Sequence, residues 1–250
     1  MQQVFWSHIL APDEQQLELG DSYYQHLIRV LHFQEKSQFW LVDAQQQTFL
    51  ATVEQITTKN FVVRLQAKSR RQTELPVQVT VACALSKKDK VELIAQKATE
   101  LGATKMIFFE SRYSIMKWKK NVQAKKIARL QEIVTAAAAQ SQRLFIPEVS
   151  YFNWAQLLDY RADYRLVAYE EAAKQGEIAQ LAQTLQQVPP QASLICLFGP
   201  EGGFNVEEIA QLRQNKYTSC GLGPRILRAE TAPLYFLSAL SYQIELNKEY

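Results

Sequence analysis

The sequence predicts an α/β protein in two parts: a small barrel or rolled sheet, then a parallel sheet clothed in helices. Three observations carry this. Residues 1–67 hold four short runs rich in branched and aromatic residues, interrupted by one helical stretch. Residues 68–76 are polar and charged and end in Pro76, the composition of a linker. From Val77 onward, strand-like and helix-like segments alternate, as crossover helices between parallel strands require.

In the first part, strands are expected at residues 4–10, 38–42, 49–55 and 61–65. A helix is expected over 21–31, where Tyr24, Leu27, Ile28 and Leu31 recur at helical spacing. In the second part, residues 77–85 are a near-continuous apolar run, which suits a strand buried on both faces. Residues 89–101 place Val91, Ile94, Ala95, Ala98 and Leu101 on one stripe and stop at Gly102. A strand at 105–109 follows, then a long helix over 123–141 with Ile127, Leu130, Val134 and Ala138 on one face. The remaining strands are expected at 165–169, 193–198 and 218–222, and the remaining helices at 177–186, 206–214 and 233–246.

The formal net charge of the 250 residues is +3, but it is unevenly spread. Residues 1–67 carry 4 basic and 7 acidic side chains, residues 68–131 carry 15 and 5, and residues 132–250 carry 9 and 13. A block of net +10 between two acidic ones points to a polyanionic partner. The longest late uncharged run, Thr231 to Ile244, has 14 residues, short of the roughly 18–20 that span a bilayer, so no membrane partner is expected. The N-terminus lacks the basic segment and apolar stretch of a secretory signal. Cys83, Cys196 and Cys220 lie apart in apolar segments and read as buried free thiols of a reducing, cytoplasmic compartment. All three histidines fall within the first 32 residues. The rest of the chain therefore supplies neither a Ser-His-Asp triad nor a histidine metal site, and no metal is expected.

Three segments carry chemistry. Phe198-Gly199-Pro200-Glu201-Gly202-Gly203-Phe204 follows a buried strand and precedes a helix. Its glycines allow a sharp turn and close approach of a ligand to the backbone, at the strand end where open α/β sheets bind ligands. Asn205 and Glu208 have the spacing of an N-cap and its box partner. Leu222-Gly223-Pro224-Arg225-Ile226-Leu227-Arg228-Ala229-Glu230-Thr231-Ala232 also lies between a strand and a helix. There Arg228 and Glu230 are either a surface ion pair or a fixed polar pair facing a ligand, and Thr231 is placed to cap the last helix. Neither segment matches a dinucleotide fingerprint or a phosphate-cradling loop. The third segment, residues 111–131, holds seven basic residues and no acidic one. Tyr113 and Trp118 are interleaved with them, as suits phosphate contact with base stacking. A further cluster, Lys87, Lys88 and Lys90, opens a helix against the preference of its dipole.

Together these segments resemble the family of bacterial 16S rRNA uracil-N3 methyltransferases of the SPOUT, or trefoil-knot, superfamily. The resemblance also runs through Arg29-Val30-Leu31, Glu92 to Gly102, Ser111 to Ser114, and Ala136 to Arg143 with Pro147. It implies a PUA-like RNA-binding barrel over residues 1–70 and a knotted parallel-sheet methyltransferase domain over 74–250. It implies S-adenosyl-L-methionine as cofactor, small-subunit rRNA or the 30S subunit as partner, and a homodimer. Carried over by position, Tyr169, Phe198, Gly199, Glu201, Gly202, Leu222, Gly223, Ile226 and Leu227 would bind the cofactor. Arg228 would stabilise the uracil anion, Glu230 would orient it or take the proton, and Glu201 is the competing base. Arg29, Lys87, Lys88, Arg112, Lys117, Lys119, Lys120 and Arg143 would meet RNA. The family pattern is departed from at His32, at Ala139, and at Gln142, where a glycine is common. The alternatives are another SPOUT enzyme, acting on a ribose 2′-hydroxyl, and a non-catalytic RNA-binding assembly factor.

Overall fold

The computed structural model describes residues 1–11, 13–70, 72–171 and 180–247. The chain forms two compact units, one of residues 1–74 with 138–145, the other of residues 75–137 with 146–250.

The first unit contains strands β1 (Gln3–Phe5), β2 (Gln16–Leu19), β3 (Gln38–Val42), β4 (Thr48–Ile56) and β5 (Phe61–Ala67), in the order β1-β3-β4-β5-β2. β1 runs parallel to β3, and the other pairings are antiparallel. Strand alternation sends Phe49, Ala51 and Val53 of β4 inward, onto a core that includes Leu19, Leu27, Phe39, Leu41 and Phe61. Of the expected strand at 4–10 only residues 4 and 5 lie in β1; beyond it the Trp6 N–H still reaches Val42 O at 2.7 Å, and the Leu10 N–H is taken by Asp43 Oδ2 at 3.1 Å. β2 was not expected, since Gln-Leu-Glu-Leu offers too short a pattern. The expected helix at 21–31 begins as α1 (Asp21–Tyr23) and continues as a π-helix over Tyr24–Val30, closed by Leu31 N–H to His26 O at 3.0 Å.

Two residues of the resemblance are settled inside this unit. Arg143, expected to meet RNA, is 2% exposed and ion-paired with Glu74. Its Nε lies 2.9 Å from Glu74 Oε2, and the other oxygen accepts the Leu144 N–H at 2.7 Å. A guanidinium so enclosed is a structural charge with no face left for a phosphate. Gln142, where the family often has glycine, adopts a φ of +61°, the left-handed region that glycine enters freely. Its side chain is bound on both sides, accepting from Arg70 Nη2 at 2.6 Å and donating to Ala139 O at 3.1 Å.

The second unit is built on six parallel strands: β6 (Gln78–Ala84), β7 (Lys105–Phe109), β8 (Glu148–Phe152), β9 (Tyr164–Ala168), β10 (Ser193–Phe198) and β11 (Thr218–Cys220). Their order is β11-β9-β10-β6-β7-β8. Both faces are covered, which explains the continuous apolar runs. Val79, Val81 and Cys83 of β6 join one core with Leu194, Cys196 and Phe198 of β10, while Ala82, Ala84, Ile195 and Leu197 join the other. Helices α2 (Lys88–Glu100), α3 (Lys120–Gln140), α5 (Gln180–Gln187) and α7 (Thr231–Ser241) contribute to the first core. The short α4 (Trp154–Leu158) and α6 (Val206–Gln214) contribute to the second.

The three cysteines are buried free thiols on β6, β10 and β11, and burial pushes the Cys83 thiol far up. β8 and α4 were not expected, being a five-residue edge strand and a five-residue helix too short for a periodic signal. Residues 177–179 of the expected helix at 177–186 lie outside the described residues. Thr231 does not cap α7: it is the first helical residue, the N-cap is Glu230, and no side chain caps there. No described helix is long and apolar enough to cross a membrane.

The Arg143–Glu74 pair sets a stability test. Glu74→Ala takes the carboxylate from a buried guanidinium and is expected to cost about 3–5 kcal/mol, the usual loss on breaking a buried pair. Chemical denaturation of the full chain measures it, and a cost under about 1 kcal/mol would place the pair among ordinary surface bridges.

Candidate active site

β9, β10 and β11 end side by side, so the segments leaving their carboxyl ends meet in one cleft. The cleft has a volume of about 560 Å³. That is within the roughly 300–1,000 Å³ of small-molecule sites. Tyr169 enters from the end of β9, residues 198–204 from β10, and Leu222, Gly223 and residues 225–229 from beyond β11. All nine residues expected to bind cofactor line this one space.

The loop after β10 is held by sterics at one end and hydrogen bonds at the other. A Cβ at Gly199 would stand 3.1 Å from the Gly203 carbonyl carbon, so a side chain there would push the turn open. Gly203 has a φ of +68° and donates its N–H to Pro200 O at 2.9 Å. Past the turn, Asn205 Oδ1 accepts the Glu208 N–H at 2.6 Å and Glu208 Oε2 accepts the Asn205 N–H at 2.9 Å, completing the expected capping box. The remaining Glu208 oxygen accepts the Arg112 N–H at 2.8 Å. One buried glutamate thus ties the glycine loop to the segment after β7.

Lys90 holds the charges of the cleft. Its Nζ donates to Glu201 Oε1 at 2.8 Å and lies 3.1 Å from Glu230 Oε2. The hydrogen bond to Glu201 and the partnership with Glu230 raise the Lys90 pKa against a lowering by burial. Burial works to raise Glu201, but the bond from Lys90, its own backbone N–H and the charges of Lys90 and Lys87 together bring it below the usual carboxylate value. The Arg228–Glu230 pair expected from sequence is therefore not formed: the partner of Glu230 is Lys90. Arg228 lines the cleft, is exposed, and makes no ion pair among the described residues. A lysine at the start of α2 opposed the helix dipole, and that mismatch was the only sequence signal of its role. Arg225, Glu170 and Glu171 also line the cleft and were not singled out.

The expected RNA contacts divide. Lys87, Lys88, Lys117, Lys119, Lys120 and Arg29 are exposed. Arg112 is exposed but ion-paired with Glu207, and Arg129 lies 3.0 Å from Glu132, so the block has acidic partners from outside its own span. Trp118 is 7% exposed and packs on Phe108 and Tyr151 at 6.2 and 5.9 Å. It belongs largely to the core, while Tyr113 is half exposed.

A family model described as RNA methyltransferase domain matches residues 73–241. The ribosomal RNA small subunit methyltransferase E of Bacillus subtilis (strain 168) is 41% identical over 226 residues, covering 88% of this chain and 88% of that protein. A structure solved for a hypothetical protein is 33% identical, covers 99% of this chain and all of its own, and superposes with a TM-score of 0.89. A ribosomal RNA small subunit methyltransferase E from Neisseria gonorrhoeae, solved bound to S-adenosyl methionine, is 26% identical. It covers 96% of this chain and 97% of its own, with a TM-score of 0.82.

The Lys90 bridge has a pH window. Because the folded Glu201 value is lowered, its contribution to stability is present above the ordinary carboxylate value and lost as pH falls through the lowered one. Because the folded Lys90 value is raised, its contribution is present below the ordinary lysine value and lost as pH rises through the raised one. The melting-temperature difference between the protein and a Lys90→Met variant should hold steady from about pH 5 to about pH 9 and shrink beyond either end. A difference that persists unchanged to about pH 2 would mean packing, not charge, sets it.

Proposed function

Because the chain belongs to the RNA methyltransferase family, with the ribosomal RNA small subunit methyltransferase E proteins as its relatives, we propose that it methylates N3 of one uridine in the 16S rRNA of the small ribosomal subunit, using S-adenosylmethionine. The observation that carries this reading is the single cleft at the ends of β9, β10 and β11, which gathers every residue the family resemblance assigns to the cofactor.

The residues of the cleft fit that cofactor. Bare backbone at Gly199, Gly202 and Gly203 allows close approach, and a Cβ at Gly202 would already stand 3.1 Å from Tyr113 Cβ. Phe198, Leu222, Ile226 and Leu227 supply apolar surface for an adenine, and Gly223 turns with a φ of +92°. Gly199, Glu201 and Gly202 take the methionine and ribose side, with Tyr169 closing the pocket. S-adenosylmethionine supplies a methyl group already activated on a sulfonium, so what the protein adds is chiefly the placing of uracil N3.

The N3 proton has to leave, and the electrostatics of the cleft assign the parts. Glu201 is held ionised and weakly basic by Lys90, which makes it a poor proton acceptor. Glu230 shares the same ammonium. Arg225 and Arg228 are both exposed cations of the cleft without an ion pair among the described residues, and of the two it is Arg228 that the family resemblance assigns to stabilise the developing negative charge on the uracil. Lys90 is a positioning residue that fastens both glutamates.

The same reading makes residues 1–70 a PUA-like RNA-binding barrel, residues 74–250 a trefoil-knot domain, and the working enzyme a cytoplasmic homodimer. Mass-spectrometric mapping of 16S rRNA with and without the gene tests the function. One uridine should lose a methyl from its base. Loss from a ribose would move the protein to the 2′-hydroxyl enzymes, and no loss from 16S rRNA would overturn the small-subunit reading, with tRNA the next substrate to map. Arg228→Ala should lower kcat by about 100-fold or more, as deletion of one charge-stabilising donor does, with cofactor affinity kept. Lys117→Glu, Lys119→Glu and Lys120→Glu together should weaken rRNA binding more than any charge change in residues 1–67, because phosphate contact follows local positive charge. Equal effects measured by filter binding would mean the two regions share the load.

A further inference from the structure

The basic block finds no part in the methyl-transfer cleft, yet a second cavity lies against it. This cavity is about 270 Å³ and shares no lining residue with the first. It is bounded by Ser86, Lys88, Val91 and Glu92 at the start of α2, by Met116 and Trp118, and by one side of α3. Val91, Met116, Trp118 and Leu130 give it an apolar floor. Lys88, Lys125, Lys126 and Arg129 stand around that floor with one carboxylate, Glu92. Glu92 is 3.6 Å from Lys88. Lys125 and Lys126 make no ion pair with any described residue, and Lys126 Nζ sits 5.9 Å from the centre of the Trp118 ring.

Ser86 supplies the independent sign of a ligand. It lines the cavity and is 2% exposed, yet its hydroxyl has no hydrogen-bond partner among the described residues. Buried hydroxyls are nearly always satisfied, so this one on the cavity wall has a hydrogen bond to give to a polar ligand atom or a water. The volume falls just below the roughly 300 Å³ at which drug-sized sites begin, which suits one planar ring system and no larger group. Arg129 is paired with Glu132 and Lys88 with Glu92, which leaves Lys125 and Lys126 as two ammonium groups for phosphates beside an apolar, aromatic floor that matches a base.

We propose that this cavity binds one unstacked base of single-stranded RNA, with Ser86 Oγ bonding the base edge and Lys125 and Lys126 holding the adjoining phosphates. The proposal rests on the RNA substrate inferred above and adds a second contact point outside the cofactor cleft.

Anisotropy with a fluorescent hexauridylate tests it on the full chain. Ser86→Ile and Val122→Trp fill the cavity without changing charge, and Val122, at its 36% exposed rim, serves if Ser86→Ile does not fold. Either variant should weaken hexauridylate binding by about fivefold or more, the lower range for one stacked base. An abasic hexamer should bind the unaltered protein as weakly as hexauridylate binds the filled variants. Calorimetric affinity for S-adenosylmethionine should be unchanged in both. Filled variants that bind hexauridylate normally would overturn the proposal, as would equal binding of the abasic and uridine hexamers, which leaves phosphate contact alone. Filling that changes the sedimenting mass and not RNA affinity would give the cavity to a second copy of the chain instead. If the unaltered protein methylates 16S rRNA while filling has no effect, this proposal alone fails; if it methylates no rRNA, the functional reading beneath it fails.

Discussion

Parallel strands impose a direction on everything built around them. Each needs a crossover before the next can begin, so six of them in one sheet place all their carboxyl ends along one edge. The order β11-β9-β10-β6 brings four of those ends together, and the segments leaving them carry Gly199–Gly203, the Leu222–Ala232 stretch, Tyr169 and Lys90. Burial on both faces makes that edge rigid. Val81 and Cys83 belong to one core and Ala82 and Ala84 to the other, so β6 cannot slip without exposing apolar surface on both sides. Gly199 and Gly202, where a Cβ would stand 3.1 Å from a neighbouring atom, sit on the segment that leaves this edge.

Within the cleft, one ammonium organises the charge. Two carboxylates facing a shared space would repel, and each would hold its proton more tightly. Lys90 between Glu201 and Glu230 reverses this, keeping Glu201 ionised and anchored. Two consequences follow for the chemistry. Glu201 becomes a fixed, ionised wall of the cleft, with its basicity lowered. Arg225 and Arg228, outside that network, are exposed cations of the cleft without an ion pair among the described residues.

The basic residues expected to meet RNA, with their neighbours Lys125 and Lys126, divide by burial in a way that charge counting alone does not reach. Arg143 is spent inside the first unit on Glu74, and Arg112 is engaged by Glu207. Lys117, Lys119 and Lys120 face solvent, while Lys125 and Lys126 border a cavity whose floor includes Trp118. Trp118 is both a core residue and part of a wall, which is why an aromatic residue among lysines reads equally as packing or as a stacking platform.

What the residues themselves determined is the local grammar. Apolar runs and helical stripes place β6, β7, β10 and α6 at or within a residue of their ends, and the glycine loop and its Asn205–Glu208 cap follow from spacings of three or four residues. The nine positions assigned to the cofactor came from the family resemblance, position by position, and all of them line the one cleft at the strand ends. β2, β8 and α4, four to five residues long, escaped because none carries the continuous apolar run that marked β7 at the same length. The pairings of charge were decided only by the tertiary structure. Lys90 and Glu201 stand 111 residues apart in the chain, and Arg143 and Glu74 stand 69 apart. Over such separations no repeat links the partners, and a charge meets its partner only once the sheet order and the packing of the core have brought them within hydrogen-bond reach.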